Sequence, residues 1–380
     1  MLTSLVRGAL RWYDHRIDVV DGAVESSIMV AARGRIEPTR VIMRVHETDL
    51  GMVDRTATPF LPVAALLGAR LRRPVRFSDP VDRVALEGAR RTLPVAREAF
   101  GWGRSSISAP TARPVARPPR PAALFFTRGV DSYASLIRFR ERFELLIGLE
   151  WVDPPYASQG QRDIFLATEA SAAELGLPLL RVSTTLRDVL DPFIQWEHSH
   201  GAALCGLALL SAGFMSEAWL SNAYREDLVE PDSGIRTDLL ENWSSSSVRI
   251  VRSAGAPSRN AKAALIAPDP HVQRWLEVCW ESWAEGNCGT CFKCLHTMSN
   301  FATSGSLELV QSRFDAPLTP EAVRALDASH AAPSLLLTII ELTDELPDGD
   351  LRDAWAEVLE RHHPGALALR GAVRDGDRRA

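Results

Sequence analysis

Lysine is almost absent from this 380-residue chain. Of its 43 basic residues only Lys262 and Lys293 are lysine, and the remainder are arginine. If a GC-rich coding bias has replaced lysine by arginine wherever arginine is tolerated, these two positions are where a compact ammonium group is needed. The net charge of -5 gives no overall attraction to phosphate backbones, so charge predicts no non-specific binding to nucleic acid.

Long apolar runs are missing as well. No uninterrupted apolar stretch reaches the ~18 residues that a membrane-spanning helix needs. Residues 1–16 have neither the apolar core nor the small-residue cleavage site of a secretory signal. We therefore expect a cytoplasmic protein with no membrane partner. Its length predicts a main domain with smaller attachments.

Cysteine is scarce, but four of the five cysteines lie close together while Cys205 stands apart. The four are Cys279, Cys288, Cys291 and Cys294. This distribution favours a metal in a reducing compartment over a disulfide framework. Four thiolates make a closed tetrahedral zinc site, which is structural rather than catalytic, and Gly289 permits the tight turn between two ligands. Lys293, between two ligands, is expected to face solvent or to balance the negative charge of the cluster.

Two other interpretations of the cysteines fit less well. A redox Cys-x-x-Cys pair would leave Cys279 and the third spacing unexplained. A DNA-binding zinc ribbon would be followed by a basic recognition helix, whereas residues 295–309 are nearly uncharged. The sequence therefore predicts a structural zinc site.

The order of strand-like and helix-like segments predicts an α/β fold in several parts. Residues 1–107 are expected to form a small α+β domain, and the proline-rich residues 108–121 an extended linker. From residue 122 strands alternate with helices, which indicates βαβ units and a parallel sheet. This main domain is expected to span residues 122–315, with the cysteine cluster at 279–294. Residues 316–380 should be a helical extension with a loose tail.

A six-residue turn, TRGVDS, joins the strand-like AALFFT to a helix-like segment. Backbone N–H groups and a positive helix end converge there, which is the arrangement of a phosphate cradle. Gly129 lets an oxygen approach the backbone, Thr127 and Ser132 can donate hydrogen bonds, and Asp131 can orient the turn or a magnesium ion. Taken alone, the hexapeptide is equally consistent with an ordinary strand–helix junction.

Three segments together resemble a known family. TRGVDS resembles the SGGxDS loop of the PP-loop ATP pyrophosphatases, the adenine nucleotide alpha-hydrolase-like superfamily. CWESWAEGNCGTCFKC, residues 279–294, resembles the zinc cluster of 7-cyano-7-deazaguanine synthase, and SRNAKAALI, residues 258–266, resembles the downstream lysine segment of that family. The segments occur in the family order, but the resemblance does not cover the N-terminal domain or the C-terminal extension.

The resemblance implies a Rossmann-like PP-loop fold and an adenylating ligase. Such an enzyme binds ATP and Mg²⁺, transfers AMP to a carboxylate or amide oxygen with release of pyrophosphate, and lets ammonia or an amine displace AMP. The product would be an amide or a nitrile. The substrate stays open among small molecules, modified bases and peptides, and we allow for a homodimer.

The resemblance also assigns residues. Asp131 and Lys262 are the expected catalytic residues, and Arg259 lies one helical turn from Lys262, so that both can reach one anion. Zinc is assigned to the four clustered cysteines. The residues expected to bind the ATP phosphates are Thr127, Arg128, Gly129, Val130, Asp131, Ser132, Arg259 and Lys262.

Two alternatives to the ligase stay open. A sulfur-transfer enzyme of the same superfamily would need a persulfide from a partner, because Cys205 lies in an apolar helix. A degenerate nucleotide- or partner-binding protein is suggested by Arg128, which stands where the resembled loop has glycine. We expect Arg128 to adopt a negative φ and its guanidinium to reach pyrophosphate or an acidic group. By the same resemblance, substrate contacts are expected at Asp227, Asp232 and Arg236.

Overall fold

The structure of the protein, a computed structural model, describes residues 8–115, 117–154, 156, 158–222, 233–253, 258–281, 286–328 and 333–365. Its strands are β1 (Leu10–Val20), β2 (Ala23–Ala32), β3 (Ile36–Val45), β4 (Val75–Phe77), β5 (Val81–Asp82), β6 (Ile107–Ser108), β7 (Thr111–Ala112), β8 (Ala122–Phe125), β9 (Phe143–Trp151), β10 (Leu179–Thr184), β11 (Glu217–Leu220) and β12 (Arg249–Arg252).

The α-helices are α1 (Leu61–Leu71), α2 (Arg83–Phe100), α3 (Val130–Arg138), α4 (Gln159–Glu174), α5 (Arg187–Leu190), α6 (Trp196–Leu210), α7 (Thr237–Leu240), α8 (Arg259–Ile266), α9 (Pro270–Trp275), α10 (Phe292–Thr303), α11 (Leu307–Val310), α12 (Pro320–Arg324), α13 (Pro333–Glu345) and α14 (Asp350–His362). Within the ranges above, no helix is both long enough and apolar enough to cross a membrane.

Ten of the strands form one mostly parallel sheet in the order β12-β11-β8-β9-β10-β3-β2-β1-β4-β6. The pairs from β12 to β10 are all parallel, and β1, β2 and β3 form an antiparallel meander. The predicted α/β class is thereby confirmed. Strands β8 to β12 follow the doubly wound order, in which the chain first builds outwards through β9 and β10 and then returns to add β11 and β12 beside β8.

Strand β8 is buried on both faces of the sheet, and its sequence shows why it forms a strand. Ala123 and Phe125 belong to one hydrophobic core, whereas Leu124 and Phe126 belong to the other. Successive side chains of a strand point to opposite faces, so an all-apolar strand needs cover on both sides. Helices α1, α2 and α6 cover the first face, and α3, α8 and α10 with the C-terminal helices cover the second.

The strands of the predicted N-terminal domain belong to the same sheet as the strands that follow residue 122. β3 pairs antiparallel with β10, with Val45 opposite Val182. The predicted linker is also fixed to the body, because the Arg117 guanidinium donates to the carbonyl oxygens of Gly51 at 3.0 Å and Val53 at 2.9 Å. The predicted domain boundaries stay a prediction, but strands on both sides of them share one sheet and one core.

Candidate functional site

The TRGVDS turn lies at the carboxyl end of β8 and leads directly into α3, whose N-cap is Gly129. In the sheet β8 lies between β9 and β11. The chain reverses its winding direction between β8 and β11, and ligands of doubly wound sheets bind in the crevice beyond the strand ends at such a point. The turn borders a pocket of about 240 Å³, lined on this side by Thr127, Gly129, Val130, Asp131 and Ser132.

Lys262 joins the two strand ends at this point. Its ammonium donates to Asp131 Oδ1 at 2.7 Å, just after β8, and to the backbone oxygen of Asn222 at 2.5 Å, just after β11. Arg259 Nη2 lies 3.5 Å from Asp131 Oδ2. Burial alone would raise the pKa of Asp131, but the two cations hold it below its ordinary value. Burial lowers the pKa of Lys262, and the Asp131 carboxylate opposes that effect.

The two cations of α8 therefore have different surroundings. The Lys262 side chain is only 3% exposed and is absent from the pocket wall, whereas Arg259 lines the pocket. The local reason is the start of α8, where the Ser258 hydroxyl accepts a hydrogen bond from the Ala261 N–H at 3.1 Å. This cap fixes the first turn of α8 so that Arg259 faces the pocket while Lys262 points behind Asp131.

Arg128 departs from the expectation. Its φ is 60°, so the expected negative φ is wrong, and its side chain is fully buried. The guanidinium donates to Thr168 Oγ1 at 3.1 Å and to the carbonyl oxygens of Trp275 and Ile164, both at 3.4 Å. The left-handed conformation turns the chain from β8 into α3 and directs the Arg128 carbonyl to the N–H of Glu277, at 3.1 Å. The side chain is thus used inside the protein and does not line the pocket.

The four clustered cysteines lie together. All four Sγ atoms are within 4.8 Å of one another, with Cys279 to Cys291 at 4.0 Å and Cys288 to Cys294 at 3.9 Å. Zn–S bonds of about 2.3 Å in a tetrahedron would place the sulfur atoms about 3.8 Å apart. The cluster therefore has the donor set and spacing to hold a metal ion such as zinc, as the sequence predicts.

The local chain conformation builds this cluster. Cys288 Sγ accepts hydrogen bonds from the N–H groups of Thr290 at 3.5 Å and Cys291 at 3.3 Å, which stabilise negative charge on the sulfur. Gly289 has a φ of 74°, and a β-carbon there would lie 2.5 Å from the Ala316 carbonyl oxygen, so only glycine fits. Cys291 then serves as the N-cap of α10. The cluster and the start of α10 are one structural unit.

Asn287, which precedes the second cysteine, is a residue that the sequence reasoning missed. Its Oδ1 accepts from the N–H groups of Val278 at 2.7 Å and Cys279 at 3.1 Å. Its Nδ2 donates to the carbonyl oxygens of Leu276 and Arg313, both at 3.0 Å. These four bonds hold Cys279 beside the other three ligands. The signal in the sequence was an asparagine next to a metal ligand, but the groups with which its side chain forms hydrogen bonds are distant in sequence.

Helix α10 forms the opposite wall of the pocket. Lys293, Thr297 and Asn300, spaced by four and three residues, all line it, and so does Cys279. Lys293 is exposed, as expected, and its ammonium lies 5.6 Å from the centre of the Trp280 ring. The turn and the cysteine cluster thus border a single pocket.

Glu277 also lines the pocket. Burial raises the pKa of Glu277, although a hydrogen bond from the Gly286 N–H at 2.9 Å opposes the effect. The sequence reasoning did not identify this residue. The backbone of Glu277 lies beside the turn because its N–H donates to the carbonyl of Arg128, a residue far away in the chain.

Other predicted residues lie elsewhere. Asp227 and Asp232 are outside the described residues, and Arg236 forms an ion pair with Asp238 at 2.8 Å. Cys205 is fully buried in α6, where burial raises the pKa of its thiol.

No protein-family model matches the chain, and no curated protein shows significant similarity to it. The functional argument therefore depends on the pocket itself.

Proposed function

We propose that the protein is an ATP-dependent adenylating ligase of the PP-loop type. The observation that carries the proposal is the pocket between the TRGVDS turn and α10. It combines the unpaired N–H groups at the start of α3 with the side chains of Arg259 and Lys293. A helix N-terminus next to two cations is suited to a polyphosphate, and its place at the switch point of the sheet suits a nucleotide.

Each residue of the turn has a role in this proposal. The N–H groups from Gly129 to Ser132 bind phosphate oxygens, and Gly129 leaves room for the ligand because it has no side chain. Ser132 donates its hydroxyl hydrogen to the Gly129 carbonyl at 2.9 Å, so the hydroxyl shapes the turn and its hydrogen is not directed at a phosphate oxygen. Asp131 stays ionised and positions Arg259, whose charge offsets the charge that develops as pyrophosphate leaves.

ATP would bring Mg²⁺ to this site, and the ion would neutralise part of the phosphate charge. Adenylation of a carboxylate or amide oxygen then converts a poor leaving group into AMP, which ammonia or an amine displaces. The cysteine cluster would hold zinc as a structural ion that fixes the start of α10. It takes no part in this chemistry.

Arg128 motivates a second candidate, a degenerate protein that binds a nucleotide or a partner without turnover. A left-handed, non-glycine residue stands in the turn itself, and its side chain is committed to Thr168 and two carbonyl groups. Sulfur transfer has less support, because Cys205 is buried far from the turn in sequence and lies in the core on the other face of the sheet.

Calorimetric titration with ATP and Mg²⁺ tests the proposal. We expect binding by the parent protein and about tenfold weaker binding by Arg259→Gln, which loses a charge-assisted contact. Arg249→Gln is the matched control, because Arg249 is 70% exposed and pairs with Glu217 away from the pocket. Pyrophosphate release with candidate substrates separates ligase from degenerate protein. Absence of ATP binding would rule out the ligase and leave only a degenerate protein that binds a partner.

A further inference from the structure

We propose that Lys293, and not Lys262, is the lysine that contacts the phosphates, and that it links phosphate binding to the metal centre. This inference rests on the proposed function, since it assigns a further binding residue to the same pocket.

The two lysines differ in the partners they already have. Lys262 is 3% exposed, and its ammonium is committed to Asp131 and to the Asn222 carbonyl. Reaching a ligand would require this buried ammonium to give up both of its partners, which is strongly unfavourable. Lys262 is therefore a positioning residue that holds Asp131 at the switch point.

Lys293 has the opposite character. It is exposed and lines the pocket, and within the described ranges it forms no ion pair with a carboxylate. Its ammonium lies 5.6 Å from the centre of the Trp280 ring, whose face attracts a cation without neutralising it. A compact ammonium facing a pocket, opposite the N-terminal end of α3, is complementary to a phosphate oxygen.

The position of Lys293 depends on the cysteine cluster. It is the second residue of α10 and lies between Cys291, the N-cap, and Cys294, which is fully buried. Both flanking residues belong to the candidate metal site. A metal that fixes these two sulfur atoms also fixes the backbone from which Lys293 reaches the pocket. Loss of the metal would release that segment, so the ammonium would no longer be held towards the ligand.

Linkage makes this dependence reciprocal. If the metal strengthens phosphate binding through Lys293, phosphate binding must strengthen metal binding by the same factor. The affinity of the protein for pyrophosphate and the rate at which it loses zinc are therefore coupled observables. A purely structural metal site, remote from the ligand, would show no such coupling.

The test uses the zinc-loaded full chain, with inorganic pyrophosphate and ATP as probes. Calorimetry is carried out on the parent protein, Lys293→Gln, Lys293→Arg and the control Arg249→Gln. We expect Lys293→Gln to bind both probes about tenfold more weakly, Lys293→Arg to recover part of the loss, and the control to match the parent. Zinc content and thermal unfolding, compared with the parent, show that Lys293→Gln is folded.

The second measurement is the rate of zinc transfer to a chromogenic chelator. Saturating pyrophosphate should slow this transfer in the parent protein and have no effect in Lys293→Gln. Equal probe affinity in the parent and Lys293→Gln would overturn the inference while leaving the proposed function intact. Equal protection of zinc in both proteins would overturn the linkage. If the parent protein binds neither probe, the proposed function is refuted, and the inference with it.

Discussion

Substitution of Arg128 by glycine and by alanine tests the conformation of the turn. Arg128 has a φ of 60°, a conformation that costs a non-glycine residue about 1 kcal/mol relative to glycine. Both substitutions remove the guanidinium bonds to Thr168, Trp275 and Ile164. Only the glycine variant also relieves the backbone strain. The difference in stability between the two variants therefore measures the free energy cost of the left-handed backbone.

The expected magnitudes follow from the bond lengths. The bond to Thr168 is 3.1 Å and the two carbonyl bonds are 3.4 Å, so only the first has near-ideal length. Losing these bonds and the packing of a fully buried side chain should cost about 3 kcal/mol in Arg128→Ala. Arg128→Gly should lose about 2 kcal/mol, because it regains about 1 kcal/mol from the left-handed backbone.

Thermal unfolding measures this difference. An unfolding entropy of about 2.1 cal/mol/K per residue gives about 0.8 kcal/mol/K for this chain, so the melting temperature should fall by about 4 °C in Arg128→Ala and about 2.5 °C in Arg128→Gly. ATP affinity should stay within about twofold of the parent in both, because the side chain does not line the pocket. If Arg128→Ala is at least as stable as Arg128→Gly, φ is not positive. A several-fold loss of ATP affinity in a folded variant would show that the guanidinium does reach the ligand.

Two further predictions concern the metal centre and the carboxylate of Asp131. Cys291→Ser should lower zinc content below the one ion per chain expected for the parent and should reduce solubility. The control Cys205→Ala, which changes a thiol outside the cluster, should keep the metal. Equal zinc in Cys291→Ser and the parent by elemental analysis would contradict the assignment. Because the pKa of Asp131 is lowered in the folded protein, the stability that this residue contributes is complete when the pH is above its ordinary pKa of 3.8. That contribution is lost as the pH falls through the lowered pKa of the folded state. The unfolding free energy of Asp131→Asn should therefore decline less steeply in acid than that of the parent. Both proteins lose metal in acid, and this loss cancels in the difference between their unfolding free energies. If the two free energies fall in parallel as the pH is lowered, the pairing of Asp131 with the two cations is refuted.

The parts of the site that could be predicted are those written in consecutive residues. The four cysteines and Gly289 occupy one short loop, so their spacing alone indicated the cluster that the structure contains. The strand, turn and helix around Asp131 were equally local, because alternation of apolar residues and a turn of small residues specify them without tertiary contacts. Such signals depend on chain geometry over a single turn or strand.

The pairings that decide the role of each residue could not be predicted. Lys262 meets Asp131 across 131 positions of sequence, and no local pattern distinguishes a buried lysine paired with a carboxylate from one that faces a pocket. The sequence shows Lys293 only as a charge between two cysteine ligands, and its place in the pocket depends on the packing of α10 against the turn. The left-handed Arg128 was missed because its strain is compensated by acceptors on α4 and α9, which sequence alone does not bring near.

The antiparallel pairing of β3 with β10 has a consequence for how the chain folds during synthesis. β3 ends at Val45 and β10 begins at Leu179, so roughly 130 residues must be made before β3 meets its second neighbour. At about 5–20 residues per second, this interval lasts about 7–26 s. Throughout it the β1–β3 hairpin array presents an open strand edge, which is a template for pairing with other chains. The ribosome-bound chain therefore passes through an aggregation-prone intermediate, and production of the first 107 residues alone would make that intermediate permanent.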